Sequence, residues 1–236
     1  MTGHTQKDIT SGEDVRQIFT RIAPRYDLMN RLMTGGQDRR WRKQVIRLTH
    51  LPPGGRLLDL GAGTGDLASE TIRQHPHSRP LASDFTLAMM RIGKKRSQAA
   101  YDWTAADALQ LPYPDDCFDA VVSGFLLRNV VDLSRALNEQ YRVLKPGGWW
   151  VALDTTHPVR NFFSPFVHFY MHYIIPFLGQ LLAGQIEAYT YLPDSTEKFL
   201  AAETLQSRLE STGFQQAGFR RYNFGTIAIH WGQKHI

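Results

Sequence analysis

Cysteine is almost missing from this chain: Cys117 stands alone among 236 residues. A single thiol forms no intramolecular disulfide and no thiolate metal cluster, so the chain fits a reducing, cytoplasmic setting, and Cys117 reads as a small residue at the core edge. The start, Met1 to Gly12, is polar and lacks the apolar stretch of a signal peptide, which argues against export. Charge is missing too, from one long stretch. Between Asn161 and Ile186 no residue is charged, and Phe162, Phe163, Phe166, Phe169, Tyr170, Tyr173 and Phe177 crowd it. Its length would permit a membrane span, but Pro165, His168, His172, Pro176, Gly179 and Gln180 interrupt it, and a crossing here would cut an α/β domain in half. The stretch is expected to form a helical lid at about 158–190, with ordinary helix-on-helix core as the plain alternative. His168 and His172 have the i, i+4 spacing of a metal pair, yet no third ligand is near, so no metal site is expected.

What is present is enough apolar sequence, 42% of the chain beside 21% charged residues, for one α/β domain with a cap. The formal charge is +5 and the pI about 9.4. The excess is local, with Arg21, Arg25, Arg31, Arg39, Arg40, Arg42, Lys43 and Arg47 all preceding the first strand. Such a face suits anionic lipid headgroups or a solvated helix surface as well as nucleic acid. Residues 1–50 read as a disordered start followed by a helical cap. Order is expected near Val15, where Val15, Ile18, Phe19, Ile22 and Ala23 recur at helical spacing until Pro24. A short polar-aromatic segment, Tyr26 to Asn30, follows. Gly35-Gly36 then breaks the chain before a helix through Trp41 to Leu48, and Pro52-Pro53-Gly54-Gly55 leads into a domain over 51–236.

The most informative stretch is Leu57 to Asp66, an apolar strand that stops in three alternating glycines, Gly61, Gly63 and Gly65, before a helix from Leu67 to Arg73. A dinucleotide loop would place its third glycine one position later, at Asp66, and would seldom carry an acid at Asp59. A carboxylate at each end of the loop is badly placed for a pyrophosphate and suits the cationic, amine-bearing methionine end of S-adenosylmethionine. The stretch resembles motif I of class I methyltransferases. Strand and helix then alternate as in a doubly wound sheet. The strand Pro80 to Asp84 ends about twenty residues past the loop, where an acid meets ribose hydroxyls. Capping the helix through Met89 and Met90 is the alternative for Asp84. After the short strand Trp103 to Ala106, Asp107 can accept from the adenine amine and Ala108 can offer its backbone. Phe118 to Phe125 is a continuously apolar central strand. The helix Leu133 to Leu144 stops at Lys145-Pro146-Gly147-Gly148, and Trp149 to Leu153 is the fifth strand. A helix over Thr204 to Ser211 and a closing hairpin, Phe219 to Phe224 with Ile227 to Trp231, complete a seven-stranded, Rossmann-like sheet.

Leu127, Arg128, Asn129 and Val130 at the end of the fourth strand narrow the likeness. With Phe19 to Asn30, Trp41-Arg42, the loop through Asp66, Asp84 to Met90 and Tyr191 to Phe199, they resemble the quinone C-methyltransferases of menaquinone and ubiquinone biosynthesis, nearly from end to end. Departures are Asp154, where that family usually has Glu, Leu200 in place of a common proline, and Gly124 in place of a hydroxyl residue, with Ser123 one position early. Asp154-Thr155-Thr156-His157-Pro158 is nearer the menaquinone branch and points to a naphthoquinol ring.

The resemblance implies S-adenosylmethionine as cofactor, held by Asp59, Gly61, Gly63, Thr64, Gly65, Asp84, Asp107, Ala108, Gly124 (by its backbone) and Tyr26. It implies methylation of a reduced, prenylated quinone, with Arg128 and Asn129 binding the ring oxygens and Asp66 helping Tyr26 organise the methionine end. Arg128 would act by charge or by orienting water, since guanidinium stays protonated, and His157 is a proton acceptor on chemistry alone. The lid would give the prenyl tail an apolar surface. The expected partners are the quinol and the membrane surface, met peripherally on its inner, cytoplasmic face; a homodimer stays open. Three rivals remain: another methyltransferase acting on a soluble phenol, sterol or natural product, a non-catalytic subunit of a quinone-synthesis complex, and a nucleic-acid methyltransferase, which suits the pI but not the aromatic insert.

Overall fold

Strand β1 (Arg56–Leu60) buries four of its five side chains, because a parallel strand covered by helices on both faces has no wet side. In the computed structural model, which describes residues 12–97, 101–157, 195–196 and 199–236, six further strands flank it. They are β2 (Arg79–Asp84), β3 (Asp102–Ala105), β4 (Phe118–Gly124), β5 (Leu144–Thr155), β6 (Phe214–Tyr222) and β7 (Ile227–Lys234). The sheet order is β3-β2-β1-β4-β5-β7-β6. The first five strands are parallel, and β7 runs antiparallel between β5 and β6. This is the seven-stranded, Rossmann-like sheet expected from the sequence.

Alternation along β1 sends Leu57 to one face and Leu58 to the other, and each enters a different core. Helices α3 (Asp38–Arg47) and α4 (Asp66–Gln74) supply Trp41, Val45, Ile46 and Leu67 to the core on the Leu57 face. Helices α6 (Leu133–Val143) and α7 (Ala202–Thr212) supply Leu137, Leu205 and Leu209 to the other. The α6 amino end is capped by Asp132, whose carboxylate accepts from Arg135 N–H at 2.9 Å. Helix α5 (Leu87–Arg96) follows β2. The cap helices α1 (Gly12–Ile22) and α2 (Tyr26–Met33), joined by a 3₁₀ turn, form a small apolar cluster of their own around Ile22 and Met29, outside both main cores.

Several boundaries differ from the sequence reading. The segment Tyr26 to Asn30 is the first part of helix α2, because Met29 and Met33 pack one face against Ile22, while Leu28, Arg31 and Leu32 lie exposed on the other. Helix α1 begins at Gly12, ahead of Val15, with Glu13 accepting from Arg16 at 2.8 Å. Lys145-Pro146-Gly147-Gly148 is a bulge inside β5: Phe118 pairs with Leu144, and Ala120 with Trp149, so the extra residues loop out while pairing resumes. Strand β6 starts at Phe214, and Phe224 lies in a turn at φ 55°. The lid assigned to 158–190 lies outside the described residues.

Candidate functional site

The sheet order reverses between β1 and β4, so their carboxyl ends splay apart and leave a crevice, the place where open α/β sheets take ligands. A cavity of about 260 Å³ fills it, walled by the ends of β1, β2 and β4 and roofed by Val15, Phe19 and Tyr26 of the cap. Phe19 and Tyr26 meet edge to face, ring centres 5.9 Å apart.

Gly63 lies on the cavity wall at φ +57°. Its N–H donates to Asp84 Oδ2 at 2.7 Å, and Thr86 N–H donates to Asp84 Oδ1 at 2.6 Å. Asp84 thus fixes the glycine loop and the start of α5 together while its carboxylate borders the cavity. Burial pushes its pKa up, against the hydrogen bonds from Thr86 and Gly63. Asp107 and Ala108 line the same cavity, and Asp107 Oδ1 accepts from Leu109 N–H at 2.9 Å, which closes a tight turn.

Asp59 is 1% exposed in the middle of the sheet. Its Oδ2 accepts from Ala68 N–H in the first turn of α4 at 2.9 Å, while Oδ1 has no partner among the described residues. Burial lifts its pKa to about 7, with Asp66 and Asp84 adding like-charge repulsion. Burial also raises the pKa of Tyr26, so its phenol stays neutral.

At the end of β4 the chain passes Gly124, turns through Phe125 at φ +61° and enters a 3₁₀ turn, Leu127–Asn129. Asp154 on β5 holds that turn. It accepts from Leu127 N–H at 2.8 Å and from Arg128 Nη1 at 2.6 Å. Asn129 Nδ2 donates to Phe125 O at 2.8 Å, and Asn129 lines the cavity.

Of the residues singled out from the sequence, Tyr26, Gly61, Gly63, Asp84, Asp107, Ala108, Gly124 and Asn129 converge on this cavity. Asp59, Thr64, Gly65, Asp66 and Arg128 do not line it. Gly65, at φ +81°, is a glycine because a Cβ would come 2.7 Å from the Trp103 ring. Thr64 Oγ1 donates to Asp27 Oδ1 at 2.7 Å. Asp66 pairs with Arg96, and with Arg42 at 3.4 Å. Arg128 is buried against Asp154, its guanidinium 5.0 Å from the Phe125 ring centre.

Phe85, Thr86 and Met89 on the β2 side and Leu126, Val130 and Val131 beyond β4 are also on the cavity wall; the sequence reading gives none of them a site role, though Asp84 to Met90 and Val130 lie in its matching stretches. Phe85 and Val131 are 45% and 59% exposed, large apolar groups left wet at a cavity mouth. A phenylalanine directly after a strand-ending acid was the available signal. Ser195, Thr196 and Phe199 are buried, Phe199 in the α6–α7 core; His157 precedes the undescribed segment.

The sequence model of the ubiE/COQ5 methyltransferase family matches residues 6–234. The ubiquinone/menaquinone biosynthesis C-methyltransferase UbiE of Desulfotalea psychrophila is 46% identical, over 96% of this chain and 92% of its own length. The demethylmenaquinone methyltransferase of Thermus thermophilus is 40% identical, over 92% of this chain and all of its own. Among solved structures, a SAM-dependent methyltransferase from Thermotoga maritima superimposes with a TM-score of 0.63 at 20% identity, covering 92% of this chain and 98% of that one; at that distance the fold alone is shared.

Proposed function

The chain belongs to the ubiE/COQ5 methyltransferase family of S-adenosylmethionine-dependent enzymes, and on that premise we propose that it methylates a ring carbon of reduced demethylmenaquinone, giving menaquinol. The observation that carries this reading is the composition of one cavity: a buried carboxylate, a glycine loop and exposed Phe85 on the β1–β2 side, Asn129 and exposed Val131 past β4 on the other.

The cavity suits the cofactor on its own chemistry. Asp84 would accept from the ribose hydroxyls, Asp107 and Ala108 would meet the adenine between Met89 and Leu109, and the backbone of Gly61 and Gly63 would border the methionine end. Asp59, with one oxygen unpartnered, offers charge toward a bound cation through the same loop. When bound, the cofactor supplies an activated methyl on a sulfonium, which leaves the protein the tasks of aligning the acceptor and excluding water.

Asn129, on the cavity wall, would hold a ring oxygen of the quinol so that the ring carbon faces the methyl. The ring carbon would accept that methyl and give up its own proton to solvent or a base. Arg128 acts from behind: its cation, held by Asp154, fixes the turn that presents Asn129. Tyr26, neutral, closes the cavity from above.

The acceptor would arrive from a bilayer. Helix α2 exposes Leu28 and Leu32 one turn apart, next to exposed Arg25 and Arg31, a face suited to the surface of an anionic membrane. Among the described residues no helix is long and apolar enough to cross a membrane, so contact would be peripheral. Flotation with anionic against zwitterionic vesicles checks this face.

The substrate reading is tested by presenting methyl-labelled cofactor with reduced demethylmenaquinone, a methoxybenzoquinol analogue and a soluble catechol. Label in the naphthoquinol at the highest kcat/KM supports it, and preference for the catechol refutes it.

A further inference from the structure

Helix α1 and the 3₁₀ turn pack on α5, Arg16 lies 5.8 Å from the Phe85 ring centre, and the hydrogen bonds described between α2 and the body centre on one carboxylate. Asp27, in the first turn of α2, accepts from Thr64 Oγ1 of the glycine loop at 2.7 Å and is ion-paired with Arg96 at the far end of α5. Arg96 also donates to Thr64 O at 3.1 Å and pairs with Asp66, the residue that starts α4. One guanidinium therefore ties the cap, the glycine loop and the α4 amino end together. The apolar residues of α1 and α2 cluster with one another and not with either sheet core, whereas α3 is part of a sheet core. Between α2 and α3 lie Gly35 and Gly36, at φ +55° and +74°, where an added Cβ would meet nothing within 4 Å. Those glycines serve backbone conformation, not packing, which is what a hinge needs.

Val15, Phe19 and Tyr26 roof the cavity, so a cofactor passing through that side must lift them. We propose that α1 and α2 form a lid turning about Gly35–Gly36, and that Arg96 is the positioning residue that latches it shut by holding Asp27 against the glycine loop. Arg96 is not on the cavity wall, so its effect is on how long the cofactor stays rather than on the methyl-transfer step. The inference rests on the cofactor reading of the cavity.

The test is release of labelled S-adenosylhomocysteine, chased with unlabelled ligand, from the full-length protein. If the wild type fails to bind it, the cofactor reading itself falls. With binding established, Arg96→Met is expected to speed release about tenfold, the scale of a coupled charge network, with Arg96→Lys recovering part of the loss. Asp27→Asn cuts the same latch from the other side and serves alone where Arg96→Met does not fold. The double variant is expected to release no faster than the faster single one, with kcat at saturating cofactor within about twofold of wild type if chemistry limits turnover. Release unchanged in the folded single variants, or effects that multiply in the double variant, would overturn the latch.

Discussion

Arg128 Nη1 lies 2.6 Å from Asp154 Oδ1, and both side chains are almost fully buried, at 5% and 2% exposure. A pair this dry is held by mutual need: each charge would be costly alone. Removing one partner leaves the other uncompensated, which costs about 3–5 kcal/mol. Asp154→Ala is therefore expected to lower stability on that scale in chemical denaturation and to depress kcat/KM, because the Leu127–Asn129 turn loses its anchor. Asp154→Glu keeps the charge but lengthens the arm, and should retain most stability while kcat falls. Equal stability of Asp154→Ala and wild type would contradict the assignment.

Two neighbouring glycines should respond in opposite ways. At Gly65 an added Cβ meets the Trp103 ring at 2.7 Å, and φ is +81°, so Gly65→Ala should cost about 2–4 kcal/mol from overpacking and left-handed strain together. At Gly63 the nearest atom is the flexible end of Met89, 3.3 Å away. Gly63→Ala should keep the fold at a cost of about 1–2 kcal/mol yet weaken cofactor binding, since the new methyl occupies the cavity wall. Thermal melting and calorimetry separate the two. A Gly63→Ala variant that binds as wild type does would refute the loop's role.

Asp84 is predicted to matter to loop and ligand at once. Asp84→Ala removes the acceptors for Gly63 and Thr86 N–H together with those proposed for ribose. Cofactor affinity should fall at least about a hundredfold, in line with loss of a charged acceptor and unpaired donors left behind. Unchanged affinity by calorimetry would rule out the ribose assignment.

Burial holds Asp59 at about 7, far above the ordinary unfolded value of about 3.9. Between those values the folded chain keeps a proton that the unfolded chain releases, so stability falls as pH rises through that window. Asp59→Asn removes the slope. The variant should melt above wild type near pH ~8 and close to it near pH ~4. Wild-type cofactor affinity should rise as pH passes about 7, because an ionised Asp59 favours the bound cation, and the Asn variant should lack that rise. Parallel melting of the two proteins across pH would show that Asp59 does not titrate there.

What the sequence revealed, and what it concealed, follows the range of the interactions. The strands through Leu57–Leu60 and Phe118–Gly124 announce themselves as apolar runs, and their order with Asp84 and Asp107 places the cavity, since Asp84 ends β2 and Asp107 lies just past β3, strands that point one way. The bulge at Lys145–Gly148 was invisible as strand because its proline and glycines read as a stop, while pairing to β4 resumes beyond them. The partner of Arg128, Asp154, belongs to the next strand, 26 residues on, and left no local signal. Asp27 and Arg96 are 69 residues apart, with no local pattern to connect them. Asp66 and Thr64 belong to the same network, and their partners in α2 and α5 are likewise remote in sequence.

The most direct measurement is a single turnover under anaerobic conditions: protein preloaded with methyl-labelled cofactor is mixed with demethylmenaquinone in its reduced or its oxidised form, and the product is weighed by mass spectrometry. The account predicts one labelled methyl on the ring of the reduced acceptor and none on the oxidised one, with Asp154→Ala slowing the step. Retention of the label on the cofactor with the reduced quinol bound, or equal transfer to both forms, would contradict it.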